Sequence, residues 1–173
     1  MNVKTISLTA ALAFSAAAAF GFGRTDQGTW AAGGEFNFDP ASSLGTVIDA
    51  ELTVGQYLRQ GFMVGGFGGI LDNDYWTVWS LGATVKWHFL DDGTSPFSPF
   101  LGADLGVAKY ETFADDATAL FVGGYIGFDF FLTENAAVET KLNARFATDD
   151  IYSDDDGPTS SDITVKIGLM FFF

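Results

Sequence analysis

The chain has 173 residues, 48% of them hydrophobic, with 22 acidic against 8 basic side chains for a formal net charge of −14. That length accommodates one domain, and 19 phenylalanines exclude a disordered acidic chain. The lack of any basic cluster argues against nucleic acid as a partner, and without cysteine there is neither a disulfide framework nor a thiolate metal site.

The chain opens "MNVKTISLTAALAFSAAAAFGFG". Lys4 supplies a positive start, residues 6–14 an apolar stretch and residues 15–19 a run of small side chains. This pattern predicts a secretory signal peptide over 1–19, cleaved after Ala19 through Ala17-Ala18-Ala19. The stretch is too short and too rich in alanine to span a bilayer well as an anchor. The mature domain is then 20–173, and it holds no later apolar run long enough for a transmembrane helix.

From there the sequence alternates with period two, the mark of strands whose faces differ chemically. Eight strands are predicted at 28–39, 46–58, 61–71, 75–90, 97–112, 118–132, 136–147 and 161–173. Turn signals separate them: Asp39-Pro40, Arg59-Gln60-Gly61, Asp72-Asn73-Asp74, Asp91-Asp92-Gly93, Asp115-Asp116, Thr133-Glu134-Asn135 and the acidic run at 154–158. The third strand, "GFMVGGFGGIL", has no polar face, so its register stays open. Helices are poorly supported, because each of the many glycines would cost a helix interior about 1 kcal/mol relative to alanine. In a narrow barrel the same glycines make room for large neighbours such as Phe67, Trp79 and Tyr125.

The faces decide what kind of barrel this is. In the fifth strand Leu101, Ala103, Leu105 and Val107 oppose Gly102, Asp104, Gly106 and Ala108. In the seventh, Val138, Leu142, Ala144 and Phe146 oppose Glu139, Lys141, Asn143 and Arg145. The last strand sets Ile163, Val165, Ile167, Leu169, Phe171 and Phe173 against Asp162, Thr164, Lys166, Gly168, Met170 and Phe172. Across all strands the polar faces carry Glu35, Asp49, Glu51, Lys86, Asp104, Asp129, Glu139, Lys141, Arg145 and Lys166 among small residues. Charges beside small residues suit a packed, paired interior, and an eight-stranded barrel is just wide enough to be filled by side chains. The apolar faces are nearly free of charge and end in aromatics: Trp87, Phe89, Phe97, Phe130 and Phe171 at one rim, Phe36, Phe38 and Tyr75 at the other. That reads as a membrane barrel with aromatic girdles; a soluble barrel binding a small apolar ligand would need the opposite face assignment.

The signal sequence, the eight alternating strands, the segment "PFSPFLGADLGVAKY" and the C-terminal phenylalanine together resemble the small outer-membrane β-barrels of the OmpA/OmpX type. The resemblance covers the whole mature chain but carries no periplasmic domain after the barrel. It implies a closed eight-stranded antiparallel up-and-down transmembrane β-barrel, a monomer, in the outer membrane of a Gram-negative-type bacterium. It also implies that Phe173, with Phe171, Leu169 and Ile167 behind it, is the signal read by the outer-membrane assembly machinery. Both termini then face the periplasm, with outer loops at 40–45, 72–74, 113–117 and 148–160 and inner turns at 59–61, 91–96 and 133–135.

This orientation bears on catalysis. Lipid-modifying members of such barrels work at the outer leaflet, whereas His88, the one histidine, falls near the periplasmic rim with no serine beside it in sequence. A rim histidine bonding to water or a carboxylate is the expectation. "DIYSDDDG" fails as a calcium loop, since Tyr152 and Ile163 would stand where oxygen ligands are needed. No cofactor or metal is expected. The interior should hold an ion-pair network rather than a channel, with Lys166 beside Glu35, Glu139 and Lys141, and with six acids against four bases. Surplus carboxylates would reach water near the rims or take up a proton. Lys109, at the outer end of the lipid-facing side, is placed to touch lipopolysaccharide phosphate. The reading is a non-enzymatic outer-membrane barrel with a structural or surface-interaction role, with a lipid-modifying enzyme as the alternative.

Overall fold

The computed structural model describes residues 24–42, 45–73, 76–89, 95–111, 116–154 and 157–173, without the side chains of 38–46 and 153–158. The predicted signal peptide lies outside them, as do Asp74, Tyr75, Asp91, Asp92, Gly93, Asp115 and the side chain of Phe38.

Alternating sequence becomes strand after strand: β1 (Trp30–Ser42), β2 (Gly45–Arg59), β3 (Phe62–Asp72), β4 (Thr77–His88), β5 (Phe97–Glu111), β6 (Asp116–Thr133) and β7 (Ala136–Ala147). A short hairpin of β8 (Tyr152–Asp154) and β9 (Gly157–Thr159) follows, and β10 (Ser161–Phe172) completes the wall. Each of the eight long strands pairs antiparallel with its neighbours, and β10 returns to β1, so the sheet closes as a barrel. The hairpin lies within the 148–160 loop and outside the barrel wall.

Turn chemistry fixes the ends. Gly61 adopts φ +72° between β2 and β3, a left-handed conformation that a side chain would oppose, and Gly28 does the same at +94° ahead of β1. Asp39-Pro40 is not a turn as expected: β1 runs on to Ser42, with an irregularity in its β2 pairing between Asp39 and Ser42. Proline is tolerated inside a strand at such a bulge or on an edge.

The register of β3 is settled by size. Phe67 is buried and lies opposite Gly82, where a Cβ would press on the Phe67 ring. Tyr125 likewise lies opposite Gly102, and an added Cβ there would overlap its ring. Trp79 differs from expectation. It is half exposed on the outer face, because its parity in β4 is that of Leu81 and Val85 rather than that of the inward Lys86.

The interior has three layers. At the end where β1 begins and β10 finishes, called the terminal end below, Ala31, Tyr57, Met63, Phe131, Ala137, Met170 and Phe172 form an apolar plug. At the loop end Phe67, Val78, Ala108, Ala119 and Phe121 form a second, completed by Ile151 and Tyr152 from the long loop. Between them lies a charged layer. The outer wall is the reverse, with Leu52 at 69% and Ile163 at 71% exposure among many apolar side chains.

Candidate functional site

All ten charged residues picked out by strand parity are buried inside the barrel. Glu51 on β2 is the centre of the upper group. Its carboxylate meets Arg145 at 2.7 Å, Lys141 at 3.1 Å and Lys166 at 3.4 Å. Arg145 also holds Asp104 through Nε and Nη2, at 2.9 and 2.6 Å. Lys141 reaches Glu35 at 2.6 Å, and Lys166 reaches Asp49 at 2.9 Å. Lower down, Lys86 is paired with Glu139.

Aromatic faces complete the solvation that water would otherwise provide. The Arg145 guanidinium sits 4.9 Å from the Phe67 ring centre and 5.1 Å from that of Phe121. Lys86 lies 4.3 Å over Phe100, and Lys141 5.0 Å over Tyr125. Such contacts favour a desolvated cation by roughly 2 kcal/mol. The Tyr125 hydroxyl donates to the Val85 carbonyl at 2.9 Å and lies 2.7 Å from Thr84 Oγ1.

Lys166 does not sit beside Glu35 and Glu139 as expected; its partners are Asp49 and Glu51. The stagger of the closed sheet explains the difference. Glu35 lies opposite Gly168, one inward step from Lys166 toward the terminal end, so the carboxylates that Lys166 meets come from β2.

His88 has a carboxylate beside it as expected, but it is buried and has a serine neighbour as well. It points into the barrel and is buried, with Tyr57 Oη 3.0 Å from Nε2, Ser98 Oγ 2.9 Å from Nδ1 and the Asp129 carboxylate 3.5 Å from Nε2. Sequence adjacency missed Ser98, although it shares the inward parity of Phe100 and Asp104 on β5. A serine, a histidine and an aspartate thus meet, but Ser98 and Asp129 are wholly buried and His88 nearly so. Residues 24–29 fold over this end. Thr25 accepts from the Gly61 N–H at 3.0 Å, and Arg24 bonds to the Ser95 carbonyl and stacks 4.5 Å from Phe131.

The loop end is closed by Ile151, fully buried, and Tyr152. Burial pushes the Tyr152 phenol above its ordinary pKa range. Beneath it is a cavity of about 20 Å³, lined by Asp49, Arg145, Asp162, Lys166 and apolar neighbours, which is room for roughly one water. Among the described residues no group of three or more histidine and acidic side chains could hold a metal.

On the outside, Lys109 pairs with Glu111 at 2.7 Å and Asp116 at 3.7 Å, all three well exposed. Ile167, Leu169 and Phe171 face outward on β10, Phe172 faces inward, and Phe173 exchanges backbone hydrogen bonds with Trp30 at 2.9 and 2.7 Å.

No protein-family model matches the chain, and no curated protein sequence matches it. Solved structures do. Neisserial surface protein A aligns with a TM-score of 0.58 at 18% identity, covering 84% of this chain and 96% of its own. The N-terminal β-barrel domain of Pseudomonas aeruginosa OprF aligns at 0.64 and 13% identity, covering 85% and 98%. A major outer membrane protein from Thermus thermophilus aligns at 0.53 and 11%, covering 84% and 98%. At these identities the shared property is the fold.

Proposed function

We propose that this chain, which has the fold of the small outer-membrane β-barrels, is itself an integral protein of a Gram-negative-type outer membrane, without catalytic activity. The observation that carries this reading is the inverted polarity of the wall: charges inside, and apolar side chains outside along whole strands. In water such a surface would drive aggregation; in lipid it is the stable arrangement. Half-exposed Trp30, Trp87, Phe97 and Phe130 gather toward the terminal end, and Phe36 and Trp79 lie toward the loop end, which suits two interfacial girdles.

The lumen supports a structural or surface-interacting role rather than transport. Among the described residues a charged layer lies between two apolar layers, which favours a closed plug over a pore, and the buried Ser98, His88 and Asp129 are poorly placed to meet a substrate. In this reading the terminal end faces the periplasm, the β8–β9 hairpin faces outward, and the barrel is a monomer. Its partners are outer-membrane lipid, lipopolysaccharide at Lys109, and the assembly machinery at Ile167, Leu169, Phe171 and Phe173. Membrane extraction tests it: the protein should resist carbonate, require detergent, and change gel mobility on heating. Release by carbonate alone would refute it.

A further inference from the structure

Four inward carboxylates stand in one row around the barrel. Glu51 on β2 is in register with Glu35 on β1, Glu35 with Gly168 on β10, Gly168 with Glu139 on β7, and Glu139 with Asp129 on β6. All four acids are buried. Only a residue without a side chain separates Glu35 from Glu139. A Cβ added at Gly168 would lie 2.6 Å from Glu35 Cγ, so this glutamate extends over the glycine toward β7. There its carboxyl group comes within hydrogen-bonding reach of that of Glu139.

The cations are too few to match every acid. Among the described residues the buried interior holds Glu35, Asp49, Glu51, Asp104, Asp129 and Glu139 against Lys86, Lys141, Arg145 and Lys166. Lys166 serves Asp49 and Glu51, Arg145 serves Glu51 and Asp104, and Lys86 serves Glu139 through Oε2. The cation beside Glu35 is Lys141, which Glu51 shares. Glu35 therefore stands between two carboxylates with part of one cation. On the other side of the contact, Glu139 Oε1 is buried and accepts no hydrogen bond from the described residues. Two ionised carboxylates meeting in a dry interior repel, and neither has a hydrogen to give. One proton between them removes the repulsion and supplies the missing donor.

We propose that Glu35 and Glu139 share one proton, donated by the Glu35 carboxyl group to Glu139 Oε1, and that this bond clasps the seam where the barrel closes. It passes over Gly168 and ties β1 directly to β7, across the strand that each of them pairs with. Lys141 still reaches Glu35 through its carbonyl oxygen. The groups facing the pair are Glu51 from β2, Lys141 from β7, Lys86 from β4, Asp129 and Tyr125 from β6, and Lys166 and Arg145 through Glu51. Loss of the proton turns the clasp into two carboxylates set against each other at the seam. The unfolded chain has both glutamates ionised near neutral pH while the folded pair keeps its proton, so this contribution to stability is lost as pH rises.

Infrared spectroscopy of the protein purified in dodecyl maltoside tests the site. At neutral pH the wild-type chain should show a protonated-carboxyl C=O band that shifts in heavy water, and Glu35→Gln should lose it. Glutamine keeps a donor toward Glu139 and an acceptor toward Lys141, so the urea midpoint of Glu35→Gln in lipid vesicles should match the wild type, while that of Glu51→Gln falls. Between about pH 6 and about pH 9 the wild-type midpoint should decline more than that of Glu35→Gln. Absence of the band from the wild type, a band that survives Glu35→Gln, or a midpoint lowered as far by Glu35→Gln as by Glu51→Gln would each overturn the shared proton. An equal decline with pH in both proteins would overturn the clasp. The proposal concerns the interior alone, and carbonate extraction tests the membrane reading separately.

Discussion

Lys141 and Lys166 lie directly opposite each other in the β7–β10 register, both turned into the barrel and both buried. Like charges so placed repel, and the arrangement holds because Glu51 reaches both, while Glu35 takes the second side of Lys141 and Asp49 that of Lys166. Glu35 and Glu51 face each other across β1 and β2 in the same way, with Lys141 bonded to both.

Replacing Glu51 by glutamine leaves Arg145, Lys141 and Lys166 with one carboxylate fewer in a sealed interior. Removing one partner of a buried ion pair costs about 3–5 kcal/mol. The urea midpoint of the barrel in lipid vesicles should fall accordingly, and an unchanged midpoint would mean that water reaches this layer.

Gly102 is a packing requirement of Tyr125. Gly102→Ala should destabilise by about 1–3 kcal/mol through overpacking. Gly124→Ala, on the outward-facing side where an added Cβ would meet nothing closer than the Gly102 carbonyl at 3.8 Å, should be close to neutral in the same unfolding assay.

The last two residues divide stability from assembly. Phe172 is fully buried against Tyr57 and Phe131, so Phe172→Ala should cost about 3–5 kcal/mol. Deleting Phe173 should shift the unfolding midpoint far less, yet slow insertion by the assembly machinery in reconstituted vesicles. Assembly of the truncated chain at the full rate would count against Phe173 as an address.

In planar bilayers the intact barrel should stay at baseline conductance. The double variant Ile151→Ala, Tyr152→Ala removes the loop-end plug, and it should also stay at baseline, because the plug around Phe172 still blocks the other end. Stable current steps from the double variant would place the only barrier at the loop end.

Lys109→Ala should leave the barrel folded and reduce the lipopolysaccharide that copurifies with it. Glu111 and Asp116 compete for the same ammonium, so a Glu111→Gln variant should retain more. Equal retention in all three proteins would remove Lys109 from the contact.

How much of this was legible in the sequence depended on distance along the chain. Strand parity alone sorts inward Asp104 and Arg145 from outward Leu105 and Phe146, since period two is a local property. It also contains Ser98 and excludes Trp79 from the interior, information that adjacency to His88 and residue size obscured. The partners of Lys166 were hidden, because they depend on the stagger with which the sheet closes, which no single strand encodes. Ile151 and Tyr152 were hidden for another reason: they plug the mouth from an acidic loop with no periodicity to betray them.

The charged layer has a consequence for how the barrel forms. The bonds of Asp49 and Glu51 to Arg145 and Lys166 join residues 94, 115 and 117 positions apart, from β2 to β7 and β10, so these do not exist until the sheet closes. A strand slipped by two residues would keep its lipid face apolar and satisfy the hydrophobic pattern, but it would strand Arg145 or Lys166 without a carboxylate in a dry interior. Hydrophobic alternation cannot detect such an error, and buried charge can. The ion pairs thus act as a check on registry, penalising the mispaired barrels that membrane insertion alone would accept.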